Sequence, residues 1–219
     1  MNEELSSLTE SAYKYIFESI MNGNFRAGQS ISPDNIVKTL NISKTPVREA
    51  LLQLEAEGLI SRNGRFYNVI FLSEKEVLEL YEVRMILEAE AAALACDRIT
   101  DAELSVLWNV LDMIKAAVNE KNPDPIKLAD LNGKFHSLIA AACKNSYIVE
   151  YTSNIRLKLK IVRTTLFTSY DRRQDEVAEH EAILKAIERR DPDLAKGRVK
   201  SHMQKLMSYL KNNVFGKIY

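Results

Sequence analysis

Glycine is concentrated at the beginning of this 219-residue chain, and this distribution strongly constrains the fold. Four of the seven glycines lie within the first 64 residues, and the other three are spread over the rest of the chain. Glycine is common in turns and at helix ends, and it destabilises the interior of a helix. We therefore expect short elements first and long helices afterwards, with two domains that cover residues 1–72 and 73–219.

The first domain carries the signals of three helices. Apolar residues at helical spacing predict a helix over residues 5–21. Ser32, which precedes a proline, predicts the start of a short helix that ends at Asn41. Ser43 is the predicted cap of a third helix, which Gly58 ends. Two short helices separated by a tight turn therefore follow a longer first helix.

A hairpin is predicted after the third helix. Residues 59–62 and 65–71 flank the dipeptide Asn63-Gly64, which suits a two-residue type I′ turn. The order helix, helix, tight turn, helix, hairpin is that of a winged helix-turn-helix. We predict this architecture for residues 1–72.

From Ser73 onward the sequence has helical periods separated by caps and prolines, with no strand signal. Six helices are predicted, over residues 74–98, 101–120, 124–143, 145–169, 172–190 and 192–213. Their starts are marked by Ser73, Thr100, Pro123 and Pro125, Asn145, Asp171, and Asp191-Pro192. The fold class is therefore mainly α, with an antiparallel six-helix bundle as the second domain.

Composition excludes several classes of protein. The longest stretch without a charged residue runs only from Phe135 to Cys143, too short to span a membrane. Residues 1–20 lack the basic start and apolar block of a signal peptide, so we expect a cytoplasmic protein. Cys96 and Cys143 lack the spacing of a disulfide framework or a thiolate zinc site. Thirty basic and thirty acidic residues cancel, so DNA binding must be argued from the positions of the charges.

The third predicted helix carries a family resemblance. Residues 42–51 (ISKTPVREAL) and 54–60 (LEAEGLI) closely resemble the recognition-helix signature of GntR-type bacterial transcription regulators. Residues of the second domain resemble the all-helical effector domain of the FadR branch: Arg84 with Glu88, Asn145, residues 179–187 and His202. Six effector helices directly after the hairpin are similar to the VanR subgroup. The resemblance implies a homodimeric, ligand-responsive repressor that binds a pseudo-palindromic DNA operator.

The predicted DNA contacts lie on the third helix and on the hairpin. On the helix, Arg48 is our candidate for reading base edges, because its planar fork fits guanine. Lys44 and Thr45 can hold phosphate or a single base atom, and Ser43 lies where the helix amides can bind a phosphate. The hairpin places a basic wing beside the minor groove, formed by Arg62, Asn63 and Arg65.

The three histidines of the chain lie on three different predicted helices. Helical spacing places His180 and His202 on inward lines, and His136 borders one. Asn132 lies one turn before His136 on the same face. Three imidazoles and one amide oxygen suit a divalent transition metal such as Zn²⁺ or Ni²⁺, although a single inward histidine is more often a hydrogen-bonded core residue.

This ligand set contains no protein anion, because Asn132 stands where metal-binding members of the family usually carry aspartate. The charge of the ion is then available to an anionic effector, and the fork of Arg84 fits a carboxylate. The alternative for Arg84 is a surface ion pair with Glu88 at i+4. We predict a small carboxylate effector that binds at the metal and at Arg84.

Two other functions are compatible with these residues. One is a metal-dependent enzyme built on the bundle, although no HExxH-type sequence supplies a general base. The other is a metal sensor, in which the ion itself is the signal. We predict a regulator that is not an enzyme.

Overall fold

The computed structural model describes residues 2–166 and 172–215, with side chains described for 6–162 and 172–215. The chain divides into two compact units. The first comprises Met1–Val77 and Leu157–Thr168, and the second comprises Leu78–Arg156 and Ser169–Tyr219. The domain boundary after residue 72 stays a prediction, and nothing in the sequence indicated that part of a later helix packs with the first unit.

The first unit contains the predicted winged helix-turn-helix. Its elements are α1 (Asn2–Met21), β1 (Ser30–Ile31), α2 (Pro33–Leu40), α3 (Lys44–Ala56), β2 (Ile60–Asn63) and β3 (Phe66–Val69). The strands form an antiparallel sheet in the order β1-β3-β2. Strand β1 was missed because two residues are too few to give a periodic signal.

The turn between α2 and α3 follows from its sequence. The Ser32 hydroxyl accepts a hydrogen bond from the Asn35 amide at the start of α2. Asn41 ends α2 in the left-handed conformation, with φ 53°, as predicted. Ser43 is at the N-cap position of α3, but its side chain makes no capping hydrogen bond. Its hydroxyl is therefore not engaged by the helix that it precedes.

The hairpin turn lies one residue later than predicted. Asn63 pairs with Phe66 as the last rung of the ladder, so the two turn residues are Gly64 and Arg65. Gly64 has φ +61°, whereas Arg65 is not among the residues with positive φ. A type I′ turn needs positive φ at both central residues, and a type II′ turn needs it only at the first. The Asn63-Gly64 I′ turn was therefore wrong, since glycine takes the first turn position rather than the second.

The core of the first unit is aliphatic. Helices α1 and α3 pack together through fully buried residues, among them Ile16, Ile20, Val47 and Leu51. Ile161 is buried in the same cluster, and Leu157 packs against it. This core holds α3 in place and leaves its opposite face in solvent.

The second unit is built from long helices, and the mainly α fold class is confirmed. The helices are α4 (Glu74–Arg98), α5 (Asp101–Val118), α6 (Pro125–Ala142), α7 (Ser146–Leu166), α8 (Arg173–Glu188) and α9 (Pro192–Tyr209), and a π-helical turn (Leu210–Val214) continues α9. Helix α5 packs against α6 and α8, and α8 packs against α9. Among the described residues, no helix is both long enough and apolar enough to cross a bilayer.

Caps explain where these helices begin. Thr100 and Glu103 form a reciprocal capping box at α5. Asp124 and Asp191 each accept an amide hydrogen bond before a proline that opens the helix. Asn145 Oδ1 accepts from two amides at the start of α7. The predicted cap Asp171 and the predicted end of α7 at residue 169 lie outside the described residues.

Candidate functional site

The first turns of α3 present an exposed polar face. Its side chains are those of Ser43, Lys44, Thr45 and Arg48. The opposite face is buried through Val47, Ala50, Leu51 and Leu54. The apolar stripe thus fixes the rotation of α3, and all four predicted contact residues are accessible to a DNA groove.

Lys44 and Arg48 differ in their surroundings. Lys44 Nζ lies 2.7 Å from the carboxylate of Asp34 on α2, an exposed pair that lowers the pKa of Asp34. Within the described part of the chain, Arg48 has no hydrogen-bond or ion-pair partner. Its guanidinium is therefore free for a base edge, whereas Lys44 must leave an internal partner.

The hairpin carries the other predicted DNA contacts, and all three are exposed. Arg62 Nε donates to the Gly64 carbonyl at 2.9 Å, and its guanidinium lies 5.5 Å from the Tyr67 ring centre. Arg65 lies over Phe66 at 5.2 Å. These contacts orient the two cations of the wing, while Asn63 is at the last rung of the ladder.

The structure brings the three histidines together in the core of the second unit. His136 lies on α6, His180 on α8 and His202 on α9, and each is buried. One ligand nitrogen from each ring lies within 4.8 Å of the others. Three imidazoles at this separation can share one ion.

Two carboxylates orient two of these rings. His136 Nδ1 is 2.9 Å from Glu88 Oε2, and His202 Nδ1 is 2.7 Å from Glu179 Oε2. A ring that donates its Nδ1 hydrogen to a carboxylate keeps the Nε2 lone pair for a ligand bond. The arrangement matches the carboxylate–histidine pairs that support protein metal sites.

His180 and Asn132 carry buried polar atoms without a partner. Both ring nitrogens of His180 and the Asn132 Oδ1 atom have no hydrogen-bond partner. The His180 ring stacks on Phe135 with 4.6 Å between ring centres. Asn132 Nδ2 donates a hydrogen bond to Glu176 at 3.4 Å, so the amide oxygen of Asn132 is the atom without a partner. Unpaired buried polar atoms are costly, and a bound cation is one way to satisfy them. The three histidines therefore fit a divalent metal, and Asn132 carries a free oxygen one turn before His136.

Burial keeps two of the imidazoles neutral. Burial lowers the pKa of His136 to about 4; the nearby Arg84 acts in the same direction, and Glu88 opposes it. Burial and the two neighbouring histidines hold the pKa of His180 well below its usual range. Both rings are therefore in the metal-binding form at pH 7.

Arg84 is buried, not exposed, and it pairs with Glu88. Its Nε lies 2.6 Å from one carboxylate oxygen of Glu88, and its Nη2 lies 3.4 Å from the other. The i+4 pair exists, but its predicted surface location was wrong. Burial alone would raise the pKa of Glu88, yet Arg84 and His136 outweigh burial and lower it. A ligand at Arg84 would share the guanidinium with Glu88.

Sequence reasoning missed several charged groups around the histidines. Arg156 Nη1 lies 3.6 Å from Glu88 Oε1, and Arg172 Nη2 lies 2.6 Å from Glu179 Oε1. None of the four proposed ligands is a carboxylate, but the site is not free of protein anions, because Glu88 and Glu179 bond to two of the ligands. Because Glu179 is the sequence neighbour of His180, its side chain points away from the His180 face, and yet it reaches His202 on another helix.

Known protein families match both units. Residues 8–66 match the model of bacterial regulatory proteins of the gntR family, and residues 79–205 match the FCD domain. The chain is 28% identical over 203 residues to YdhC of Bacillus subtilis, an uncharacterised HTH-type transcriptional regulator, with 91% of this chain and 89% of the relative covered.

Two further proteins are similar along most of the chain. The gluconate operon transcriptional repressor of Bacillus licheniformis is 28% identical over 180 residues, with 80% of this chain and 73% of the relative covered. The solved structure of McbR/YncC from E. coli has the same fold, with a TM-score of 0.79 and 20% identity over 93% of this chain and 97% of that one.

Proposed function

This chain belongs to the gntR family of bacterial regulatory proteins and carries an FCD domain, and on that premise we propose a cytoplasmic repressor that senses a small carboxylate in a metal-containing pocket. The family consists of DNA-binding transcription regulators, so the chain is a regulator and not an enzyme. A relative that is named a repressor supports repression rather than activation.

DNA binding is assigned to the winged helix-turn-helix. In a homodimer, two copies of α3 enter successive major grooves of a pseudo-palindromic operator. Arg48 reads base edges, Lys44, Thr45 and Ser43 hold backbone positions, and the wing residues Arg62, Asn63 and Arg65 lie beside the minor groove. The exposure of all seven side chains supports this assignment.

The metal site is assigned to His136, His180, His202 and Asn132. The observation that carries the proposal is the pair of buried, unpartnered ring nitrogens on His180 beside two histidines that carboxylates orient. Nitrogen-rich ligand sets favour Zn²⁺ or Ni²⁺. When bound, such an ion supplies Lewis-acid attraction for a carboxylate oxygen.

The effector is assigned to the same pocket. Arg84 remains our candidate clamp for its carboxylate, since a guanidinium has five donors and two of them serve Glu88. Regulation requires that the effector bind one arrangement of the DNA-binding units more tightly than the other. A metal sensor is the second candidate, because the buried unpartnered atoms fit an ion with or without a ligand.

The proposal can be tested with purified full-length protein. We expect elemental analysis to find Zn²⁺ or Ni²⁺ in the parent, and His180→Ala and His202→Ala to lose most of it. Operator binding, followed by fluorescence anisotropy, should survive in these variants and lose its response to small carboxylates. Lys134→Gln, an exposed change on α6, is the control for a substitution near the site. Metal content equal to that of the parent in both histidine variants would refute the site.

The same experiment separates the two candidates. A repressor that senses a carboxylate keeps its operator after metal loading and releases it on addition of the acid. A metal sensor changes its operator affinity with the ion alone. Normal induction in Arg84→Ala would remove Arg84 from the effector site and leave the rest of the proposal standing.

A further inference from the structure

The charged groups around the histidines balance without a metal. Three arginines whose side chains are at most 14% exposed carry positive charge there, namely Arg84, Arg156 and Arg172, and three largely buried glutamates oppose them, namely Glu88, Glu176 and Glu179. Lys205 also pairs with Glu179, but its side chain is 59% exposed and its charge is solvated. Metal binding requires neutral imidazoles, and the amide of Asn132 is neutral as well. A divalent ion therefore adds two positive charges that no protein group cancels. Because unbalanced charge is costly in an interior, the bound state calls for two negative charges from the ligand.

Arg156 offers a place for one of these charges. Its Nη1 atom is buried and has no hydrogen-bond partner, since Glu88 Oε1 at 3.6 Å is beyond hydrogen-bonding distance. Its side chain is only 14% exposed. A carboxylate oxygen would convert this unpaired donor into a charge-assisted hydrogen bond.

Arg156 is also close to the proposed metal ligands. It lies beside Glu88, and Glu88 bonds to His136. Only one side chain thus separates Arg156 from a ligand of the metal. A short aliphatic chain between two anionic groups can therefore reach both the metal and Arg156.

We propose that the effector is a small dicarboxylate, one carboxylate of which binds at the histidine site while the second binds Arg156 Nη1. The inference rests on the proposed carboxylate-sensing function. It adds that the effector has two carboxylates and that Arg156 binds the second one. A monocarboxylate fills the first position and leaves Arg156 Nη1 without a hydrogen-bond partner.

The test uses acids matched in length. Full-length protein loaded with Zn²⁺ is titrated calorimetrically with malonate and propionate, with succinate and butyrate, and with glutarate and valerate. In each pair a methyl group replaces one carboxylate. We expect at least one diacid to bind about tenfold or more tightly than its partner, as one charge-assisted hydrogen bond implies. In Arg156→Gln that preference should fall to about twofold while monoacid binding is kept.

Two further variants serve as controls. Arg156→Lys keeps a positive charge beside Glu88 but loses the planar fork, so an intermediate preference of about threefold is expected even if Arg156→Gln folds poorly. Lys134→Gln removes the same charge from an exposed position on α6 and should keep the full preference.

The outcomes are distinct. Equal binding of every diacid and its monoacid by the parent overturns the inference and leaves the proposed carboxylate sensing intact. A tenfold preference that persists in Arg156→Gln also overturns it. If no acid binds the metal-loaded parent, the carboxylate-sensing function fails, and the inference fails with it.

Discussion

At the residue scale, Arg48 and Lys44 are expected to contribute to DNA binding in different ways. Arg48 has no hydrogen-bond or ion-pair partner among the described residues, and Arg48→Ala should cost about 1–3 kcal/mol of base discrimination. Lys44→Ala should weaken operator and random DNA alike and reduce the salt dependence. Selecting an operator from random DNA and measuring both affinities checks this. An unchanged ratio of operator to random DNA in Arg48→Ala would remove Arg48 from base reading.

Asn132 allows a second test at this scale. Its Nδ2 atom donates to Glu176, so Asn132→Asp places two carboxylates together in the absence of metal. We expect the metal-free variant to lose about 1–3 kcal/mol of stability and the metal-bound variant to gain affinity. Urea unfolding with chelator and with Zn²⁺ measures both effects. Asn154→Asp, an exposed change of the same charge, should alter neither.

The histidine cluster could be predicted from the sequence, but its supporting charges could not. Helical spacing places His180 and His202 on inward lines and His136 at the border of one, and inward lines on packed helices converge. Arg156 and Arg172 gave no such signal, because long cationic side chains are usually solvated. Only tertiary packing decides that they reach Glu88 and Glu179.

At the scale of single elements, two serines form a matched pair. Ser32 accepts an amide hydrogen bond at the start of α2, whereas Ser43 makes none at the start of α3. Ser32→Ala should therefore cost about 1 kcal/mol of stability, and Ser43→Ala should change it little. Chemical denaturation of the two variants checks the contrast. Equal losses would mean that the Ser43 hydroxyl caps α3 in solution.

Caps made the helix starts predictable, whereas strand β1 and the register of the hairpin were not. Thr100, Asp124 and Asp191 begin their helices by the bonds that their side chains make, and these starts follow from local chemistry. The hairpin register depends on which of two adjacent residues takes positive φ. Asn63 and Gly64 both tolerate that conformation. The pairing of β3 with β1 and with β2 therefore decides which of them is in the turn.

At the scale of the whole molecule, the free energy of unfolding should decrease in acid because of the buried histidines. An unfolded histidine has a pKa near 6.5, whereas burial lowers the pKa of His136 to about 4 and also lowers that of His180. The unfolded state therefore binds more protons below pH 6.5, and stability falls as the pH drops towards 4. His136 alone accounts for up to about 3 kcal/mol of this loss.

Urea unfolding of the metal-free protein, with chelator present, at pH 7, 6 and 5 measures the slope. His136→Gln keeps a donor for Glu88 without a titrating ring, so its stability should depend less steeply on pH. A slope identical to that of the parent would show that His136 is not buried as a neutral ring.

The periodicity of apolar residues does not predict which unit a helix belongs to. A stripe of apolar residues indicates that a helix is buried, but it does not identify the helix that covers it. Leu157 and Ile161 of α7 therefore gave no indication that they belong to the first unit.

Because Asp34 pairs with Lys44, the proposed DNA-binding surface contains a carboxylate that competes with DNA phosphate for this lysine. Each contact that Lys44 makes with a DNA backbone is an exchange of one anion for another, and random DNA has few other contacts to offset the exchange. Asp34→Asn should accordingly raise affinity for random DNA several-fold and raise operator affinity less. In a cell that carries this variant, more of the regulator would bind to the chromosome outside the operator. The carboxylate of Asp34 thus limits binding of the protein to DNA outside its operator.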